Sequence, residues 1–589
     1  MTTLAAPPRL RKRQRLDKRL QALKTIRSSW DPMYQNISDH LLPWSGRFFI
    51  EDTNKGGGRH NLIFDGSATS ALRVLGAGLM AGATSPARPW FRLSTGDPEL
   101  NEFYSARVWL DEVARRMMRV FQKSNTYRVL HGMYEELGSF ATSAAFVLPD
   151  YKNVIHLYPM TCGEYTLAQN YRGEVDTCIR EFQRTVAEVI TEFALPDGSN
   201  ITQRTKDLYQ SGELDRPVRM AHAVQPRHLR DYTKPTQANM PWSSCYWEVG
   251  VEEGKSEDSE DADLLREGGY KRFPVLAPRW ATSGGDVYGN GPAFDAIGDI
   301  MQLQHEQVRK AEGIDYGIDP PLAVPVQLKN RGLNRLPGGV TYIDAGSNQQ
   351  AIKPLWDVKL DLEELRDDIM DVRERIRRHF FADLFLMLSN VSDTTQRTAA
   401  EIAERHEEKL LMLGPVLERL HNELLAPLID ITFERMLEVG ALPPPPPELN
   451  GMEINVEFVS VLAQAQRAIG VNSVDRFVAN LMGISDRRPE ILDRLNVDAW
   501  VDEYADMMGV SPKFLVPLEE AQTLRAARAK AKAAMDQAAM MQAQAKSARD
   551  LAAAPTDQPN ALTAVNALGM FSGLGDQSAA PDVPPGGRL

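Results

Sequence analysis

Apolar positions recur at spacings of three and four along two stretches that flank a very different one. Leu362, Leu365, Ile369, Val372 and Ile376 form one narrow seam, the pattern of a helix packed along another helix rather than across a broad core. Ahead of it, Phe294, Ile297, Met301 and Val308 form a second narrow stripe, with Gln, His, Glu, Arg and Lys on the other face. Both stretches carry start signals. Pro292 follows the turn Tyr288-Gly-Asn-Gly and suits a first helical position, where its missing N–H is no loss. Asp295 and Asp299 then sit near the positive end of the helix dipole. Asp361-Leu-Glu-Glu364 reads as a capping box, flanked by Leu360 and Leu365 as a hydrophobic staple. The intervening residues follow neither period. Asp319-Pro-Pro-Leu-Ala-Val-Pro325 holds three prolines, Pro337-Gly-Gly339 is a tight turn, and Val340-Thr-Tyr-Ile343 has the content of a short strand. The pattern predicts an arm at 286–316, a small β-containing module at 317–356 and a returning arm at 357–380. The alternative, a helical hairpin with a long plain loop, is unusual in compact domains.

The rest of the chain is organised around this hairpin. Residues 9–42 predict one long amphipathic helix through Leu16, Leu20, Leu23, Ile26 and Trp30, stopped by Pro43. Residues 65–83 predict a helix rich in small side chains, and 84–93 an extended segment. Two helices follow at 108–125 and 126–139, then short alternating strands through 140–182 and another at 245–249. The acidic run 252–263 predicts an exposed tip or a disordered loop. Residues 384–388 are apolar, and the polar stretch after them has no period and reads as a loop. Thr398-Ala-Ala-Glu401 opens a helix expected to run to Val439, bent at Gly414-Pro415 and again at Pro427, and closed by Gly440. A proline spacer at 443–447, a strand at 453–459 and further helices to about Leu551 follow. The tail 552–589 is Pro, Gly and Ala rich and reads as disordered.

Composition narrows the function classes. The chain has 589 residues, enough for several domains, and 43% hydrophobic with 25% charged content fits a folded soluble protein. Its 67 basic and 79 acidic residues give a net charge of −12, which argues against a protein that grips nucleic acid tightly. Cys162, Cys178 and Cys245 are far apart and match neither a disulfide framework nor metal spacing. The basic N-terminus lacks a following apolar core, and the apolar segment 68–83 is too short to cross a bilayer. Its Gly78-x-x-x-Gly82 reads as close helix packing in a soluble core.

Signatures of chemistry are missing from the sequence. There is no GxxxxGK[ST], GxSxG, HExxH or calcium loop. Asp367, Asp368 and Asp371 are interleaved with Arg366, Arg373 and Arg375, which favours ion pairs within or between subunits over a metal site. No cofactor and no catalytic residue is expected.

Several stretches, taken together and in order, carry a resemblance. They are Asp65-Gly-Ser-Ala-Thr-Ser-Ala-Leu-Arg73, Gly78-Leu-Met-Ala-Gly82, Thr84-Ser-Pro-Ala-Arg-Pro-Trp-Phe91, Tyr288 to Ile300, Asp319-Pro-Pro-Leu322, Leu411 to Leu425, Pro427-Leu-Ile429 and Pro444-Pro-Pro446. They span most of residues 10–470. The chain resembles the portal, or head-to-tail connector, proteins of short-tailed bacteriophages. That resemblance implies a mainly α fold with α+β portions, divided into crown, wing, stem and clip, and a ring, commonly a dodecamer, around a channel for double-stranded DNA.

The parts then fall at 1–285 and 398–470 (wing), 286–316 and 357–380 (stem), 317–356 (clip), 381–397 (channel loop region) and 471–551 (crown). The acidic run 252–263 and the long Ala-rich C-terminal region depart from the family pattern. The channel loop would present Ser389, Asn390, Ser392, Thr394, Thr395, Gln396 and Arg397 to DNA. The clip would present Lys329, Asn330, Arg331 and Arg335 to the terminase large subunit and then to tail adaptor proteins. Arg366, Asp367, Asp371, Arg373 and Arg375 would form ion pairs between stems. Capsid and scaffolding proteins are the other implied partners, with no membrane. The implied location is the capsid vertex of the virion, after assembly in the host cytoplasm. Two rivals stand beside this reading: a packaging ATPase or nuclease, disfavoured by the missing phosphate loop, and a structural tail or internal virion protein with coiled-coil segments.

Overall fold

The computed structural model describes residues 11–48, 62–95, 103–227, 230–234, 236–250, 264–318, 322–323, 353–354, 362–389, 413–449, 454–458, 497–498, 500–501, 516 and 518–552. The chain divides into two units, Met1–Pro512 and Lys513–Leu589.

The first unit begins with α1 (Lys12–Arg27) and α2 (Asp31–His40). The expected single helix is therefore two. Pro32 stands in the first turn of α2, where it lacks an N–H to continue α1, and the chain turns at 28–30. Leu16, Leu20 and Leu23 of α1 are buried as the period requires, but Ile26 is exposed.

The strands form a simple antiparallel meander. β4 (Tyr165–Gln169), β5 (Val175–Thr185), β6 (Pro217–Pro226), β7 (Trp242–Glu248) and β8 (Arg266–Tyr270) pair in sequence order. One face, with Ile179, Ala221, Ala223, Cys245 and Trp247, receives the leucines of α1. The other, with Leu167, Cys178 and Val224, packs on a second sheet. That sheet joins β2 (Ala144–Asp150), β3 (Val154–Met160) and β9 (Val275–Leu276) in the order β3-β2-β9. The side-chain period of two thus puts Cys178 and Ile179 into different cores. α6 (Val186–Phe193) and α7 (Gln203–Gln210) follow β5, and α6 packs Val186, Val189 and Phe193 against Val218, Met220 and Tyr246 of β6 and β7. Thr185 caps α6 with a full capping box, Thr185-x-x-Glu188.

The largest core is helical. It gathers α2, α3 (Ser67–Ala83), α4 (Tyr104–Lys123) and α5 (Thr126–Phe140) with the two arms of the hairpin. Those arms are α8 (Pro292–Ile318) and α9 (Leu362–His379), which pack along each other. A third helix, α10 (Ala382–Ser389), follows directly, where only an apolar run was read. At the insert end of the arms, β10 (Leu322–Ala323) pairs with β11 (Lys353–Pro354), so the insert leaves and returns through a short antiparallel ladder. The expected strand at 340–343 lies outside the described residues.

Of the long helix expected after residue 398, the described residues begin at 413. Pro415 stands in the first turn of α11 (Gly414–Leu420), where its missing N–H costs nothing; the residues that would lie before the expected bend are outside the described ones. A π-helical turn, His421–Leu425, then leads into α12 (Ala426–Glu438). Pro427 explains the turn. It offers no N–H to the carbonyl of Glu423 and would crowd it, and the wider π geometry relieves the clash. Gly440 ends α12 with φ +69°, while the Gly440 and Ala441 N–H groups bond the carbonyls of Leu437 and Met436. β12 (Ile454–Phe458), expected as a strand, pairs with β1 (Phe91–Thr95), so the segment beyond the proline spacer returns to the extended stretch before α4. The Trp109 indole N–H, on α4, bonds the Pro443 carbonyl and fixes the start of that spacer.

The second unit contains α13 (Leu518–Ala552), a helix of 35 residues dominated by Ala, Gln and Met. The acidic run 252–263 and the tail from 553 lie outside the described residues.

Candidate functional site

The hairpin arms meet through a narrow apolar seam with polar pairs beside it. α9 buries Ile369, Val372 and Ile376, as its period predicts, followed by Phe380. α8 buries Ala293, Ala296, Ile300 and Leu303, while Met301 of the expected stripe is exposed. Phe294 and Ile297 of that stripe pack partly buried against the same core, and Ala293 and Ala296 beside them widen the buried face. Asp299 of α8 faces Arg375 at 3.6 Å and His379 at 3.4 Å. Farther along, the Glu306 carboxyl is held above its ordinary range, first by desolvation and then by the charge of Asp368 across the pair.

At the base of the hairpin lies a buried node that the sequence did not announce. Asp65, just before α3, is 6% exposed. Its Oδ2 accepts from Arg373 Nη2 at 2.7 Å, Arg373 Nε at 3.0 Å and Gln307 Nε2 at 3.0 Å. Its Oδ1 accepts from the Ser67 N–H at 2.9 Å. Gln304 Oε1 accepts from the Phe64 and Asp65 N–H groups at 2.7 and 2.8 Å, and its Nε2 donates to the Asp65 carbonyl at 3.0 Å. Both arms thus hold one carboxylate and its backbone. Burial pushes the Asp65 pKa up, but hydrogen bonds from Ser67 and Arg373 and the Arg373 charge outweigh it, and the pKa lies below the ordinary carboxylate value.

The stem residues expected to form ion pairs divide into two groups. Arg373 turns inward to Asp65. Arg375 bonds within the chain, to Asp299 and, one turn back, to Asp371 at 3.7 Å. Asp371 is 67% exposed, and Arg366 and Asp367 are exposed without an ion-pair partner among the described residues. Of the loop residues, Ser389 is the last residue of α10 and not part of a loop. Asn390, Ser392, Thr394, Thr395, Gln396 and Arg397 lie outside the described residues, as do Lys329, Asn330, Arg331 and Arg335 of the insert.

α10 is anchored where the sequence had suggested only generic close packing. Phe385 lies over Gly78 of α3, and a Cβ at Gly78 would fall within the ring's own space. The small-residue spacing points to Gly78, whereas no pattern in the sequence singles out Phe385. Gln304 and Gln307 read as solvated, because a buried glutamine has no sequence signature apart from its partner. Among the described residues no three His, Cys, Asp or Glu side chains converge to hold a metal, and no helix is long and apolar enough to cross a membrane.

A long two-helix stalk with an insert at its tip, tied by a buried node to a helical body carrying two sheets, is an architectural arrangement rather than a catalytic one. A family model described as bacteriophage head to tail connecting protein matches residues 13–515. The chain belongs to that family. It is 51% identical over 551 residues to a probable portal protein of Bordetella phage BPP-1, covering 94% of this chain and 97% of the relative. It is 42% identical over 559 residues to the portal protein of Salmonella phage epsilon15, covering 95% and 98%. Its function is that of a portal, the connector between phage head and tail, and it is a structural protein rather than an enzyme. The alternative of a tail or internal virion protein is not favoured. Among solved structures, a native gene transfer agent virion aligns at 11% identity over 69% of this chain and 94% of that one, with a TM-score of 0.27, too low to build on.

Proposed function

We propose that copies of this chain close into a ring of twelve at one capsid vertex, and that double-stranded DNA passes through its centre during packaging and ejection. The near-full-length identity to two phage portal proteins carries this reading. In it, α8 and α9 are the stem, the insert 317–356 the clip, the body around the two sheets and α12 the wing, and the helices after 470 the crown. Identical subunits joined through two different surfaces close into a ring when the rotation between them permits. Arg366 and Asp367 are left for contacts between stems, with the mostly exposed Asp371 beside them, since Arg373 and Arg375 are engaged within the chain. The net charge of −12 suits a duct that must let a duplex slide without holding it. The terminase large subunit and then tail adaptors would dock on the clip, with capsid and scaffolding proteins around the wing. Assembly would take place in the host cytoplasm.

Negative-stain images of the purified protein, with a mass measurement, test the ring. Particles with a central hole are expected; solid particles or filaments would end the idea. Deleting Ser389 to Gln396 is expected to leave rings intact while impairing DNA packaging or retention. Failure of the rings to form would make that stretch structural instead. Reversing the charges of Lys329, Arg331 and Arg335 is expected to weaken docking of the motor or tail adaptor without altering assembly. Unchanged binding of both partners would discard the clip assignment.

A further inference from the structure

Three helices of the stem region touch pairwise and are joined at three points. α9 and α10 meet at Phe380 and Phe381. Phe381 has a left-handed backbone, φ 54°, which is a strained conformation for a bulky residue. Its ring stacks on Trp280 at 6.1 Å, with 30° between the planes. The root of α3 is fixed to α9 by the Asp65 carboxylate and the Arg373 guanidinium. Farther along α3, Gly78 receives the Phe385 ring of α10. The 13 residues from Asp65 to Gly78 give a lever of roughly 20 Å at 1.5 Å per residue. α3 also contacts both α9 and α10. Three rods joined at three points have fixed angles, so neither α9 nor α10 can swing unless one joint opens.

We propose that α3 is a strut that sets the angle between the stem helix α9 and α10, with Asp65, Gly78 and Phe385 as its positioning residues. The consequence for DNA rests on the proposed reading of residues 390–397 as the channel loop. The strut itself does not.

Amide exchange across 382–389 in the assembled protein reads the joint directly. Gly78→Ala forces the Phe385 ring aside and is expected to speed exchange there by about tenfold, as overpacking of a tight contact does. In a Phe385→Ala background the ring is gone, and adding Gly78→Ala is expected to change the exchange no further. Asp65→Asn weakens the other joint and is expected to speed exchange in the same segment, although it lies at the far end of α3. Unchanged exchange in Gly78→Ala, or equal increments from Gly78→Ala in both backgrounds, would overturn the strut. The yield of DNA-filled particles supplied by the same variants is expected to fall in step with faster exchange. Coupled exchange with normal filling would keep the strut and overturn instead the channel reading of 390–397.

Discussion

Replacing Asp65 by alanine is expected to destabilise the first unit by about 2–3 kcal/mol. Removing one member of a buried ion pair typically costs about 3–5 kcal/mol, because the other is left buried without a counter-charge. The lower figure applies here because Arg373 is 39% exposed and water partly replaces the lost carboxylate. Gln307 also loses its acceptor, and the Ser67 N–H its helix-start partner. Denaturant unfolding followed by tryptophan fluorescence should show a lower midpoint for Asp65→Ala and a smaller loss for Asp65→Asn, which keeps an acceptor oxygen. An unaltered midpoint for Asp65→Ala would mean that the node contributes nothing. The same carboxylate gives the protein an acid limb. Its folded pKa is depressed, so its contribution is fully present above the unfolded value of about 3.9. It is lost as pH falls through the lower folded value. Wild type should therefore lose more stability than Asp65→Ala on acidification from pH 5 into that range.

What the sequence made legible is local, and what it hid is mostly long-range. The seam Ile369, Val372, Ile376 and the start of α8 at Pro292 were readable because helix period and proline chemistry act over a few residues. The strands of the meander were readable wherever β-branched and aromatic residues clustered. β6 was passed over, because Arg219, His222 and small alanines mask its alternation. The buried face of α8 is broader than the expected stripe: Phe294 and Ile297 do pack against the core, while Met301 is exposed. Alanine counts little in a hydrophobic pattern, yet Ala293 and Ala296 are what the neighbouring helices approach. The Asp65–Arg373 pair joins residues 308 apart, and β1 meets β12 at a still greater separation. No local rule pairs such positions. Ser389 was read as loop because the run 384–388 is shorter than a helix period needs to declare itself; Phe385 over Gly78 supplies the tertiary contact that holds α10.

Arg279→Ala is expected to cost more, about 3–5 kcal/mol, since both partners of its ion pair are shielded from water. Arg279 is 3% exposed, and its Nη2 donates to Glu423 Oε1 and to the Gly173 carbonyl, each at 2.6 Å. Its Nη1 donates to Gln169 Oε1 at 3.0 Å, and its backbone N–H to Glu423 Oε2 at 2.9 Å. One side chain therefore ties the β4–β5 turn to the π-helical turn that Pro427 imposes. Truncation orphans the Gly173 carbonyl and leaves the Glu423 carboxylate the backbone N–H of residue 279 and, as counter-charge, Arg419 at 3.6 Å. The pairing has a signature that general damage lacks. Glu423→Gln alone should be clearly destabilising, but in the Arg279→Ala background it should cost little or even help, because the stranded charge is then removed. Unfolding midpoints of the four proteins give the coupling directly. Additive losses would mean that Arg279 acts through its carbonyl contacts alone, and that the sheet and the bent helix are held together by packing rather than by this charge pair.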